Sequence, residues 1–229
     1  MIEYLFLDLD DTILDFRKAE AVALERALGS AGIEATPAIM ARYSRINMAC
    51  WKEMERGELT RERLKTLRFE RLFSEFGLKG DCHALSEAYM TCLGQGHWFL
   101  PGAEEAVERL SKKYRLFLAS NGTPAVQQGR MNSANLYRFF EQCFVSEELG
   151  ADKPSRVFFD RAFARIDGFD PSRAMMVGDS LSSDIQGGIN AGIRTCWVNT
   201  NGYPPKPEIV PDYTIQSLAQ LEALLETVS

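Results

Sequence analysis

Histidine is nearly missing: His83 and His97 are the two in the chain. That excludes a zinc site built mainly on imidazole. Cysteine is sparse and odd in number, at Cys50, Cys82, Cys92, Cys143 and Cys196, with no Cys-x-x-Cys spacing. These read as reduced, mostly buried thiols, not a disulfide framework. No apolar run approaches the ~20 residues of a membrane span. The opening residues, Met1-Ile2-Glu3-Tyr4-Leu5-Phe6-Leu7-Asp8, carry no basic region and meet acid too early for a secretion signal. The expectation is a cytoplasmic chain with no membrane partner. Positive charge is also in deficit, 26 basic against 32 acidic residues for a net charge of −6. A nucleic-acid polymer is therefore a poor candidate partner. There is no internal repeat and no low-complexity segment. What remains is a 229-residue chain that is 45% hydrophobic, enough for a true core, in one large domain or one domain plus an insert.

Six short apolar runs read as strands: Tyr4–Leu7, Tyr114–Ala119, Cys143–Ser146, Ala174–Val177, Arg194–Val198 and Tyr213–Ile215. Several are apolar at almost every position, as strands covered on both faces of a parallel sheet require. From about residue 100 they alternate with helical patterns at Ala103–Lys112, Thr123–Asn135, Ser155–Ile166 and Asp184–Ala191. Thr123 is the expected N-cap of the second and Gly192 the C-terminal glycine of the fourth. Ser217-x-x-Gln220 has the form of a capping box for a last helix. The fold class this implies is α/β, a doubly wound, mostly parallel, Rossmann-like sheet. Residues 16–97 break the alternation with four helical stretches, about Ala19–Ala31, Pro37–Arg56, Arg61–Phe76 and Cys82–Leu93. They read as an all-α insert, so that residues 1–15 and 98–229 form the α/β core and 16–97 a helical domain.

Four clusters carry possible chemistry. Asp8-Leu9-Asp10-Asp11-Thr12 places three carboxylates at the end of a buried strand, where ligands of open parallel sheets bind. Buried acids need a positive partner, and a hard divalent cation such as Mg²⁺ suits oxygen ligands. The plainer alternative is a solvated acidic turn. In Gly178-Asp179-Ser180-Leu181-Ser182-Ser183-Asp184 a second strand ends in an acid, with another five residues on. Asp184 either supports the site or simply faces the positive end of a helix dipole. Ser120-Asn121-Gly122-Thr123 gathers a hydroxyl, an amide and backbone N–H groups at a helix start, which is either an anion site or an ordinary turn. Lys153 follows a strand and precedes a helix. It either neutralises an acid or a phosphate, or is a surface lysine. Each cluster follows a different strand, so all fall on one sheet edge. Together they supply a carboxylate nucleophile, a second acid, a metal seat and phosphate donors, the parts of phosphoryl transfer.

In these four motifs, and across essentially its whole length, the sequence resembles the haloacid dehalogenase-like superfamily. The helical insert after the first motif is similar to that family's small α-helical cap. Haloacid dehalogenases proper lack the second acid of the first motif, which is present here as Asp10, so the chain looks like a phosphatase. Beta-phosphoglucomutases and phosphoglycolate phosphatases usually carry glycine where this chain has Asp11. The run Leu5 to Phe16, Arg68-Phe69-Glu70-Arg71-Leu72-Phe73 and the run Gly178 to Gly192 are similar to bacterial pyrimidine 5′-nucleotidases. The resemblance implies that Asp8 attacks phosphorus and that Asp10 protonates the leaving oxygen, then activates water. Asp8, Asp10 through its backbone carbonyl, and Asp179 would hold Mg²⁺, supported by Asp184. Thr12, Ser120 and Asn121 would hold phosphoryl oxygens, and Lys153 would balance the charge. Asn47 and Trp51, one helical turn apart, are candidates for reading a nucleobase, although Trp51 also fits a core position. His97 to Gly102 marks the return from the insert. The implied substrate is a small-molecule phosphomonoester, a nucleoside monophosphate, turned over by a monomer or homodimer. The alternatives are a phosphatase of small sugar or organic-acid phosphates, and a binding protein of the same fold without catalysis.

Overall fold

The computed structural model describes residues 1–228. Six parallel strands form one sheet in the order β3-β2-β1-β4-β5-β6. They are β1 Tyr4–Leu7, β2 Arg115–Ser120, β3 Gln142–Val145, β4 Ala174–Gly178, β5 Arg194–Val198 and β6 Tyr213–Ile215. Chain order reverses direction at β1, which lies between β2 and β4, so the crevice beyond the carboxyl ends of β1 and β4 is the topological switch point. Alternation along each strand sorts the core into two layers. Leu5, Leu7, Leu116, Leu118, Met175 and Val177 share one cluster with Val107, Leu110, Met131 and Leu221. Tyr4, Phe6, Phe117, Phe144 and Met176 share the other with Phe158, Phe159 and Ala162. The second layer is aromatic, with the Phe6 and Phe117 rings stacked at 5.2 Å.

The described residues form ten α-helices: α1 Phe16–Ser30, α2 Pro37–Glu55, α3 Arg61–Phe76, α4 Cys82–Leu93, α5 Ala103–Ser111, α6 Pro124–Ser133, α7 Ser146–Leu149, α8 Arg156–Phe163, α9 Gln186–Ala191 and α10 Leu221–Thr227. The chain divides into two compact units, Met1–Phe16 with His97–Ser229, and Arg17–Gly96. In the second unit Thr60 caps α3 by accepting the Arg63 N–H, and Gly77 ends it in the left-handed conformation at φ 62°. Its core is a cluster of Tyr43, Phe69 and Tyr89, whose ring centroids lie 5.1 to 5.6 Å apart.

Thr123 takes the expected N-cap position of α6, with Pro124 in the first turn, although its side chain makes no cap bond. Two local expectations fail. Ser217 likewise caps nothing, and Gln220 accepts the Gln216 N–H instead of completing a capping box. The helix expected from Asp184 begins as a π-helical turn, Leu181–Ile185, before α9.

Candidate active site

The Asp8 N–H donates to the Val177 carbonyl at 2.9 Å, extending the β1–β4 ladder by one step beyond β1. Asp8 therefore leaves the sheet beside Asp179, the residue that follows β4. The π-helical turn then brings Asp184 back: its Oδ2 accepts the Ser180 N–H at 3.0 Å. A Cβ on Gly178 would overlap the Asp184 carboxylate, so glycine is what admits it. Asp8, Asp179 and Asp184 each offer a carboxylate oxygen within 4.8 Å of the others. Asp184 is thus part of the cluster and not a dipole partner at a helix start.

Lys153 lies inside this cluster, 1% exposed. Its Nζ donates to Asp8 Oδ1 at 2.7 Å, to Asp184 Oδ1 at 2.6 Å and to the Ala119 carbonyl at 2.5 Å, using all three ammonium hydrogens. The surface-lysine alternative is excluded. Burial pushes its pKa down, but Asp184 and Asp8 outweigh burial and hold the ammonium charged. Burial pushes Asp8 up to about 8, helped by Asp184 and Asp10 and opposed by Lys153. Burial, then Asp184 and Asp8, likewise push Asp179 well above the usual carboxylate range.

This electrostatic imbalance tests the fit of a metal. Once all three carboxylates ionise they face one ammonium, a deficit of two positive charges that burial resists by raising Asp8 and Asp179. The donors are all oxygen, with no imidazole or thiolate among them. A hard divalent cation of the Mg²⁺ type matches both features.

On the neighbouring strand, Ser120 Oγ accepts from Gln127 Nε2 at 2.7 Å and from the Gly122 N–H at 3.1 Å. With both lone pairs engaged, its hydroxyl hydrogen is left to donate, as a phosphoryl oxygen would require. The Asn121 side chain is spent on the backbone of Lys153. Thr12 is fully buried and its hydroxyl has no partner among the described residues. Asp10 stands on the other side of Gln127, which donates to its Oδ2 at 2.8 Å, while the Arg130 guanidinium pairs with its Oδ1. Gln127 and Arg130 went unnoticed in the sequence. Their i, i+3 spacing puts them on one face of α6, but nothing in the sequence says what that face meets.

The model of the haloacid dehalogenase-like hydrolases matches residues 2–192. The chain belongs to that family. This hydrolase is 38% identical over 221 residues to the HAD-hydrolase YfnB of Bacillus subtilis, covering 96% of this chain and 94% of that one. It is also 38% identical over 220 residues to the pyrimidine 5′-nucleotidase PynA of Streptococcus pneumoniae, covering 96% and 93%. It is 31% identical over 223 residues to the pyrimidine 5′-nucleotidase YjjG of Escherichia coli, covering 97% of each. The magnesium-bound crystal structure of YfnB superimposes with a TM-score of 0.94 at 37% identity, over 98% of both chains. No helix among the described residues of this hydrolase is long and apolar enough to cross a membrane.

The other two expected site residues lie in the helical unit. Asn47 is buried, donating to Glu20 Oε1 at 2.7 Å and accepting from Arg68 Nη1 at 3.1 Å. Burial raises the Glu20 pKa, opposed by its hydrogen bonds and by Arg68. The Arg68 guanidinium in turn lies 4.6 Å from the Tyr89 ring centroid. Trp51 is half-buried, with the Arg61 guanidinium 5.5 Å from its ring.

Proposed function

We propose that this hydrolase cleaves phosphomonoesters through an aspartyl phosphate on Asp8, and that its substrates are pyrimidine nucleoside monophosphates. The observation that carries the reading is Lys153 bridging Asp8 and Asp184 within an acidic cluster at the switch point. Such a site neutralises negative charge on one side and presents a fixed carboxylate oxygen on the other. Asp8, Asp179 and the backbone carbonyl of Asp10 would hold Mg²⁺, with Asp184 beside them. When bound, the ion screens the approach of a carboxylate to a phosphoryl group and stabilises charge on its oxygens.

The remaining work belongs to side chains. An Asp8 oxygen bonds to phosphorus as the bond to the leaving oxygen breaks, and Asp10 delivers a proton to that oxygen. Asp10, now a carboxylate, takes a proton from the water that attacks phosphorus, and the bond to Asp8 breaks to release phosphate. The Ser120 hydroxyl and the Asn121 N–H orient the phosphoryl oxygens, and the Lys153 ammonium balances charge beside Asp8 throughout. The nucleotide assignment is supported by whole-length similarity to PynA and YjjG.

Hydrolysis of p-nitrophenyl phosphate in the presence of Mg²⁺ tests the reaction class, and Asp8→Asn should abolish it. A panel of ~50 phosphometabolites tests the substrate. Preference for dUMP, UMP or dTMP over sugar and organic-acid phosphates is expected, and the reverse ranking overturns the nucleotide reading.

A further inference from the structure

Arg130 is 0% exposed, one of the largest fully buried side chains in the protein. An interior guanidinium is costly, and an apolar residue at the same place on α6 would give a more economical core. The Arg130 guanidinium pairs with Asp10 Oδ1 and lies 5.8 Å from the Phe16 ring centroid. Three residues earlier on the same face of α6, Gln127 spends both amide hydrogens, one on Asp10 Oδ2 and one on Ser120 Oγ. The chain reserves space for this amide, because a Cβ on Gly122 would overlap it. The Asp10 side chain itself remains 30% exposed. Both of its oxygens are thus gripped by α6 while part of the side chain stays accessible.

We propose that Arg130 and Gln127 are positioning residues for Asp10, fixing the carboxyl group that exchanges a proton with the leaving oxygen and with water. Gln127 also sets the distance between that group and Ser120, so that the proton donor and the phosphoryl-binding hydroxyl are held by one amide. A carboxyl group on a short loop has several rotamers, whereas two donors from one rigid helix leave it a single placement. The proposal rests on the acid–base role assigned to Asp10 above.

Leaving-group dependence tests it. Phenyl phosphate and p-nitrophenyl phosphate have nearly the same shape, but phenol is a much poorer leaving group and needs the proton. With Mg²⁺ present, Arg130→Met and Gln127→Ala should each lower kcat/KM for phenyl phosphate by roughly tenfold or more beyond any loss for p-nitrophenyl phosphate. Asp10→Asn should show the same skew, and adding Arg130→Met to it should skew it no further. Arg130→Lys, which keeps a donor, should recover part of the loss. The ratio between the two substrates is independent of the folded fraction, so a poorly folding variant still reports. Equal losses on both substrates in Arg130→Met and Gln127→Ala overturn the positioning role. So does an extra skew from Arg130→Met on top of Asp10→Asn. Equal losses in Asp10→Asn itself overturn the acid–base role of Asp10 and the positioning proposal with it.

Discussion

The side chain of Asn121 bonds the backbone of Lys153 twice: its Oδ1 accepts the Lys153 N–H at 2.8 Å and its Nδ2 donates to the Lys153 carbonyl at 2.8 Å. The amide imitates one step of a β-ladder just beyond the last residues of β2 and β3, whose final register pair is Ser120 with Val145. The loop carrying Lys153 is thereby held on the sheet, and the ammonium reaches Asp8, Asp184 and the Ala119 carbonyl from a fixed origin. An amide that in the sequence looks like part of an anion cradle serves mainly to deliver a cation.

Asn121→Ala should therefore act on Lys153 at a distance. It leaves one buried donor and one acceptor without partners, at a cost of about 1–3 kcal/mol. A thermal melt should fall by several degrees. Turnover should fall as well, because the ammonium is less well placed. Unchanged stability and unchanged kcat would show that the Lys153 loop holds its position without the amide.

Lys153→Met should be the more severe change. It removes the cation that, among the described residues, contacts both Asp8 and Asp184, leaving two buried carboxyl groups facing each other. Breaking a buried pair from one side costs about 3–5 kcal/mol. The loss should be largest in base, above the raised value of Asp8, and smaller toward acid, where the carboxylates are protonated. Urea denaturation of the metal-free variant at two pH values measures it, and equal losses at both would contradict the electrostatic account.

Stability of the metal-free protein should fall as pH rises. The Asp8 carboxyl has an ordinary value of 3.8 and is pushed up to about 8 in the fold, chiefly by burial. Between those values the folded state holds a proton that the unfolded chain has released. Folding is thus favoured at low pH, and the advantage is lost as pH climbs through the folded value. The raised Asp179 acts in the same direction. Mg²⁺ should flatten this slope by stabilising the ionised carboxylates, as should Asp8→Asn in its absence. Unfolding free energies between pH 5 and pH 9, with Mg²⁺ or with a chelator, provide the check. A slope indifferent to Mg²⁺ would remove the metal seat from this cluster.

The sheet was legible because its strands are apolar on both faces, and β1, β5 and β6 fall on the expected residues. The four motifs were legible because each follows a strand, and strand ends share an edge. Less visible were the groups that support them. Gln127 and Arg130 look like the solvated face of α6, since a polar residue at a helical position carries no mark of what it faces. Asp184 was expected at the start of a regular helix. The π-helical turn there lets its carboxylate accept the Ser180 N–H, a backbone detail that periodicity does not encode. Ser217-x-x-Gln220 had the letters of a capping box, but Gln220 bonds Gln216 instead.

Asn47 and Trp51 should separate when tested, although they stand one turn apart on α2. Both ends of the Asn47 amide are engaged by buried charged side chains, Glu20 and Arg68. Asn47→Leu fits the helix but strands both partners, so it should lower stability by about 2–5 kcal/mol, seen as a large drop in melting temperature. Trp51 is half-buried, with a guanidinium beside its ring, and Trp51→Ala should cost less stability. If its ring stacks on a nucleobase, that variant should raise KM for dUMP about three- to tenfold, as the loss of one aromatic pair predicts. KM for glycerol phosphate, which has no ring to stack, should not move. Equal changes for the two substrates would return Trp51 to the core of the helical unit and leave base recognition to other residues.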